Sequence, residues 1–265
     1  MTSKTELAYF DDTYLHSVDA KVVSVAPHGE DGATSAVVLD KTVAYPAGGG
    51  QPSDVGRIVA ADGGAPFLVS DVKSADGSVL HLGTFEDAGA GAESLPVGAD
   101  VVVSIDPERR LLHARIHSAG HLLDVAMTNV GYGPDVLAPA KGLHGPDAAY
   151  VEYQGKVEGL DKDELMAKLA AEMNRLVGVG GKTASATMSY DDAAEACGGA
   201  LPPYIPEGSE PRVVTIVENT EGCPCGGTHV ADVAEIGAVA VVGVRVKKGV
   251  TRVSYTIEGM TGHGE

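Results

Sequence analysis

Residues 101–131 read VVVSIDPERRLLHARIHSAGHLLDVAMTNVG, and the pattern changes inside this stretch. Val101–Ile105 is a β-branched run of strand type. Asp106 is a good helix N-cap. Pro107 suits the first helical position, where its missing N–H has no intrahelical partner in any case. An amphipathic helix is expected from there to about Val130, ended by Gly131. Leu112, Ile116, Ala119, Leu123 and Ala126 form one apolar stripe. His113, His117 and His121 recur at i, i+4 and i+8, so they share a different stripe.

Upstream of this switch the sequence reads as β. Lys21–Val25 and Ala36–Leu39 are short β-branched runs around a turn-rich His28–Gly32. Arg57–Ala60 and Phe67–Val72 flank Asp62-Gly63-Gly64, a hairpin signal. Val79–Leu82 and Val101–Ile105 are further strands, and Glu86–Asp100, rich in Gly, Ala and Asp, reads as a surface loop. Several short strands with frequent turns predict a small antiparallel β-barrel over residues 1–105. Downstream, Asp161-Lys162-Asp163-Glu164 resembles a capping box opening a helix over Leu165–Val177, closed by Gly178. Arg212–Glu218 reads as a strand. Ile236–Val246 and Thr251–Ile257 read as a hairpin turning at Lys247-Lys248-Gly249. The whole is therefore α+β: a barrel over 1–105, then an α+β domain over 106–265 with helices packed on an antiparallel sheet.

The chain has 265 residues, enough for one large domain or two modest ones. Its formal net charge is −18, which argues against holding nucleic acid by charge over the whole surface, though not against a local basic patch. Residues 108–265 carry 14 of the 19 Lys and Arg, so the cations concentrate in the second part. Three cysteines, Cys197, Cys223 and Cys225, make no disulfide framework and suit a reducing compartment. Met1–Phe10 has no basic segment followed by an apolar run, so no secretory leader is expected. The longest apolar run, around Ile236–Val244, is too short to span a bilayer. A soluble, cytoplasmic protein is the expectation.

Three local motifs carry chemistry. His117-Ser118-Ala119-Gly120-His121 sets two imidazoles at i and i+4, where one metal can be reached by both; two histidines four apart also suit a plain polar stripe. In Cys225-Gly226-Gly227-Thr228-His229, glycines let the backbone turn so that a thiolate and an imidazole converge. Together the two pairs supply three nitrogens and one sulfur, a donor set suited to Zn²⁺. The third motif is Ala44-Tyr45-Pro46-Ala47-Gly48-Gly49-Gly50-Gln51-Pro52-Ser53-Asp54. It is either a flexible linker or, with Tyr-Pro and Gln-Pro stiffening its ends, a loop whose glycines admit a ligand closely. It is neither a dinucleotide fingerprint nor a P-loop.

These three motifs, in this order, resemble the editing domain of alanyl-tRNA synthetase and still more its free-standing homologues, the AlaX trans-editing proteins of the longer, two-domain form. Lys141–Tyr153 (KGLHGPDAAYVEY) is similar to a segment of the longer members. The resemblance implies zinc-dependent hydrolysis of the ester joining a wrong amino acid, serine or sometimes glycine, to the tRNA for alanine. It implies one zinc on His117, His121, Cys225 and His229. It places Gln51 at the active site facing the ester, with Gly48, Gly49 and Gly50 shaping the loop and Thr228 and Thr42 against the substrate. Thr42 matches a threonine implicated in reading the serine hydroxyl; a strand residue with a satisfied hydroxyl is the bland alternative. Ala44, Ala47 and Ser118 depart from the usual residues and bear on fine specificity. The pocket is expected between the domains, because Gln51 and Thr42 must meet the zinc.

Four protein ligands close a tetrahedral site, so either one is loose, the site expands, or the metal organises the pocket. Arg109, Arg110, Arg115, Arg245, Lys247, Lys248 and Arg252 are the candidate contacts to the tRNA. His113 reads as a partly exposed surface histidine or, on the same stripe, a hydrogen-bonder behind the metal ligands, Cys223 as a spare thiol or alternative ligand, and Cys197 as a small packed hydrophobe. Two other readings stay open: an editing enzyme of another amino acid specificity, and a zinc-stabilised module that binds tRNA or a synthetase without hydrolysis.

Overall fold

Six strands close into the expected antiparallel barrel. The computed structural model describes residues 4–29, 34–87 and 89–261. A short β1 (Glu6–Leu7) pairs in parallel with β4 (Lys41–Thr42). The barrel consists of β2 (Ser17–His28), β3 (Thr34–Leu39), β5 (Gly56–Ala60), β6 (Phe67–Ala75), β7 (Ser78–Phe85) and β8 (Asp100–Ile105), closing in the order β2-β3-β7-β6-β5-β8. β2 is far longer than the Lys21–Val25 run suggested because it serves two neighbours. Ser17–Lys21 pair with β8 and Val22–His28 with β3, with a bulge between Val22 and Ser24 that bends the strand from one partner to the other. The turn expected at His28–Gly32 lies outside the described residues at 30–32, as does residue 88 of the expected 86–100 loop. Val37, Leu39, Ile58, Phe67, Val72 and Val103 fill the barrel, so its core rests on aliphatic residues.

The expected helix is α1 (Pro107–Asn129), and Asp106 Oδ1 accepts from the N–H groups of Glu108 and Arg109 at 3.0 Å each. Ile116, Ala119, Leu123 and Ala126 are buried as the stripe predicted, but so are Leu122, Met127, His113 and His117. The helix is covered on more than its apolar stripe, which is why the surface reading of His113 fails: its side chain has no exposed area. The remaining elements are β9 (Ala138–His144), β10 (Ala149–Gln154), α2 (Lys162–Val179), β11 (Ala184–Thr187), α3 (Tyr190–Ala196), β12 (Arg212–Thr215), β13 (Cys223–Pro224), β14 (Val239–Lys247) and β15 (Val250–Ile257). A four-stranded antiparallel sheet runs β14-β15-β10-β9, with α2 packed on β14; β11, β12 and β13 form a second, three-stranded sheet. α2 presents Leu165, Leu169, Met173 and Leu176, at helical spacing, to the core.

Boundaries moved where caps and turns outrank propensity. Asp161 accepts from the N–H groups of Asp163 and Glu164, so α2 starts at Lys162. It passes through Gly178 and stops at Gly180, whose φ is +70°. β12 ends at Thr215, short of Glu218, because the chain turns at Val217–Thr220 with Asn219 at φ +62°. The hairpin begins at Val239, not Ile236: a capping box of Asp232 and Glu235 winds Val233–Ile236 into a 3-10 turn. Its Lys248-Gly249 turn has φ of +51° and +76°, the two positive angles that a type I′ hairpin demands.

By contacts the chain divides into two units, Met1–Gly48 with Pro52–Leu111, and Gly49–Gln51 with Leu112–Glu265. Among the described residues no helix is long and apolar enough to cross a membrane.

Candidate metal centre

α1 and the loop after β13 bring His117, His121, Cys225 and His229 together in the second unit. One ligand atom from each lies within 4.8 Å of all the others. Cys225 Sγ is 3.5 Å from His117 Nε2 and 3.4 Å from His229 Nε2. Zn–S and Zn–N bonds of ordinary length meeting at a tetrahedral angle would give an S···N edge of about 3.5 Å. His117 and His229 are buried, and His121 and Cys225 are half-buried, which marks the side from which the cluster is reached.

The outer nitrogens explain why the inner ones converge. Gln51 Oε1 accepts from Thr228 N–H at 3.1 Å, which identifies it as the amide oxygen. His117 Nδ1, at 2.8 Å from that oxygen, must therefore be the protonated nitrogen, leaving the Nε2 lone pair to face Cys225. Gln51 Nε2 donates to Thr228 Oγ1 at 2.9 Å, so Gln51 and Thr228 form one rigid clamp on the His117 ring. Ser118 Oγ accepts from Val230 N–H at 3.1 Å and lies 3.3 Å from His229 Nδ1, holding that ring in turn. This is the outer-shell pattern expected of imidazoles that ligate through Nε2.

Electrostatics agree with the donor set. Burial, then neighbouring imidazoles, pushes His117 and His229 well below the usual range; burial lowers His121 to about 4. The rings are thus neutral, lone-pair donors near neutral pH. Burial raises the Cys225 thiol, opposed by the Gly227 N–H on Sγ at 3.3 Å and by Arg212. Arg212 donates to the Cys225 and Gly227 carbonyls at 2.9 and 3.0 Å, which fixes the loop. A half-buried thiol that would give up its proton on binding a cation, set among three neutral imidazoles, is a donor set that fits a zinc ion.

One participant carried no assigned role in the sequence reading. The His144 ring stacks on His117 with centroids 4.4 Å apart and planes at 17°. Its Nδ1 lies 2.7 Å from the Tyr255 hydroxyl, whose single proton goes to the Ile116 carbonyl. Nδ1 must therefore donate, and Nε2 carries the lone pair. Burial lowers His144 to about 3, so the ring stays neutral. The signal that could have found it is Gly120 inside a long helix, a position that ordinarily favours Ala. A Cβ on Gly120 would collide with the His144 ring, and so would one on Gly142; a Cβ on Gly227 would collide with His117.

The other expected residues fall as follows. Gly49 approaches His117, and Gly50 packs on Gly142 and accepts from the His144 N–H at 2.8 Å. Gly48 belongs to the first unit, where its carbonyl accepts from the Tyr45 hydroxyl at 2.8 Å. Thr42, also in the first unit, is fully buried. Its Oγ accepts from Ala44 N–H at 3.0 Å and lies 2.7 Å from His81 Nε2. His81 Nδ1 is 3.0 Å from the Val37 carbonyl and must donate to it, so the Thr42 proton goes to His81. Cys223 and Cys197 are half-buried, and Cys223 is not in the ligand cluster.

Arg110 is corrected. Its side chain is fully buried and pairs with Asp54, with Nη1 on the Thr13 carbonyl at 3.0 Å and Nη2 on the Val43 carbonyl, so it cannot meet a phosphate. Arg115 is half-buried and donates to the Glu235 and Ile236 carbonyls. Arg109 is half-buried, while Arg245, Lys247 and Lys248 are exposed.

Comparison with known proteins then decides the family. The model of tRNA synthetases class II (A) matches residues 2–109, and that of the threonyl and alanyl tRNA synthetase second additional domain matches 212–254. Alanyl-tRNA editing protein AlaX-M of Methanosarcina barkeri is 32% identical over 257 residues, covering 96% of this chain and 99% of its own. The chain belongs to the AlaX-type alanyl-tRNA editing protein family. AlaX-M of Methanosarcina acetivorans is 31% identical, covering 89% of this chain and 92% of its own length. Alanine--tRNA ligase of Halobacterium salinarum is 32% identical over 95% of this chain but only 26% of its own. The chain thus spans nearly the whole of the AlaX-M relatives and about a quarter of the ligases it matches.

Proposed function

We propose that this protein hydrolyses the ester of tRNA(Ala) mischarged with serine, and to a lesser extent glycine, using one zinc ion held by His117, His121, Cys225 and His229. The observation that carries the reading is the convergence of these four side chains with the outer nitrogen of His117 fixed by Gln51. The AlaX-M relatives, named alanyl-tRNA editing proteins, support the substrate class.

When bound, zinc would supply Lewis-acid polarisation of an ester oxygen or of a bound water. Gln51 orients His117 rather than touching the ester: its amide oxygen takes two donors, and the group is 2% exposed. Gly49, exposed beside His117, leaves its backbone open to close approach, as an oxyanion contact requires. His144 holds the inner face of His117 and offers a lone pair at Nε2. An apolar pocket rejects an added hydroxyl only ~100-fold, so a synthetase for alanine gains from a second site that demands the hydroxyl.

Release of amino acid from Ser-, Gly- and Ala-tRNA(Ala) tests this. Rapid loss of serine, slower loss of glycine and near-inertness of alanine are expected. Equal rates for all three would remove the specificity. No release from any, with tRNA still bound, would favour a zinc-stabilised binding module.

A further inference from the structure

The four-stranded sheet of the second unit buries one face. Along β15, Thr251, Val253, Tyr255 and Ile257 are buried and alternate with half-buried residues that point the other way. The register fixes what that other face carries. Lys141 on β9 stands opposite Glu152 on β10, Glu152 opposite Arg252 on β15, and Arg252 opposite Arg245 on β14. Directly opposed residues share a face, so one row across the sheet reads Lys-Glu-Arg-Arg. Lys247, two residues beyond Arg245, shares that face, and Lys248 sits in the turn.

Like charges opposed across an antiparallel pair are destabilising, and this chain has a net charge of −18. A Pro-, Gly- or Asp-rich tip would have served a mere turn. Arg252 is locked: Glu152 Oε1 accepts from its Nε at 3.0 Å and Nη2 at 2.6 Å, and its guanidinium lies 3.8 Å from the Tyr150 ring centroid. Arg245, Lys247, Lys248 and Lys141 make no ion pair among the described residues. Glu152, Arg245, Lys247, Lys248, Val250 and Arg252 line a cleft of about 320 Å³.

We infer that this cleft binds the phosphodiester backbone of the tRNA, an inference that rests on the proposed tRNA substrate. Guanidinium groups and ammonium groups together suit phosphate oxygens, and an arginine stacked on an aromatic ring is pre-set rather than floppy. A membrane surface fits less well, since Val250 is the one apolar side chain in the lining and offers no anchor.

The test is titration of uncharged tRNA(Ala) against the full chain and against the Arg245→Ala/Lys247→Ala/Lys248→Ala variant, over a range of salt. The three side chains are exposed and outside the metal cluster, so hydrolysis of a short substrate, the seryl ester of a CCA trinucleotide, should be unchanged. Binding of tRNA should weaken about tenfold or more at 0.1 M salt, and the salt slope should fall by about two to three. Unchanged affinity and slope would overturn the surface and leave the reaction standing. Wild-type protein that binds no tRNA, or that binds phosphatidylserine vesicles instead, would overturn it too. Loss of tRNA binding in the variant, with no hydrolysis of either ester by the wild type, would keep the surface and sink the proposed reaction.

Discussion

Each unit buries a polar cluster, and the two are built on opposite plans. In the first, Arg110 faces Asp54 and the Thr13 and Val43 carbonyls, while Asp54 also accepts from the Tyr45 N–H at 2.8 Å. Nearby in sequence, Thr42 gives its proton to His81, and His81 gives its own to Val37. Donors meet acceptors, and the cluster is complete. In the second unit the outer atoms are equally well matched, through Gln51, Ser118, Thr228 and Tyr255. The inner atoms are arranged differently: Nε2 of His117 and of His229 both converge on the one Cys225 Sγ, at 3.5 and 3.4 Å. A polar cluster that serves only the fold is satisfied at both ends. One that serves a ligand is satisfied on the outside and converges on the inside.

Breaking each cluster should therefore have different consequences. Asp54→Ala leaves the Arg110 charge buried without its partner, and such a loss costs about 3–5 kcal/mol. Thermal unfolding should show a large drop in midpoint of the same size with or without added zinc. A shift of a degree or two would mean that Arg110 finds water or another acceptor, and the contrast between the clusters would weaken.

A smaller effect sharpens the comparison inside the second unit. Gly120→Ala would favour an isolated helix by about 1 kcal/mol, but here the new methyl meets the His144 ring, and overpacking of this kind costs about 1–3 kcal/mol. In a His144→Ala background the same change should reverse sign and stabilise. Chemical denaturation of the four proteins of this cycle measures it. Destabilisation of equal size in both backgrounds would show that His144 is not what Gly120 makes room for.

Much of this was legible in sequence. Alternation and turn residues gave the barrel strands, and Asp106-Pro107 gave the start of α1 to the residue. The ligand pairs could be read because i, i+4 spacing on a helix and a glycine-rich loop each constrain where side chains point. What was not legible depended on long-range pairing. β1 and β4 are too short to show a period, and β11 and α3 pack on β12 without a strong apolar pattern of their own. Arg110 looked like a surface cation because nothing local announces that Asp54, 56 residues away, will bury it. His144 was missed for the same reason: its partners Gly120, Tyr255 and His117 come from α1 and β15, and only the mid-helix glycine hinted at them. The resemblance put Gln51 at the site facing the ester; its hydrogen bonds to His117 and Thr228 make it a clamp on the His117 ring.

If the four convergent side chains hold one metal that the reaction needs, metal and activity must come and go together. Metal content and Ser-tRNA(Ala) deacylation should be measured together, on the wild type as purified, after chelation, after zinc return, and on Cys225→Ala. Close to one zinc per chain is expected, with loss of deacylation when the metal is removed, recovery with zinc, and a folded Cys225→Ala protein with neither tight zinc nor activity. Full deacylation by metal-free wild type, or by folded Cys225→Ala, would contradict this.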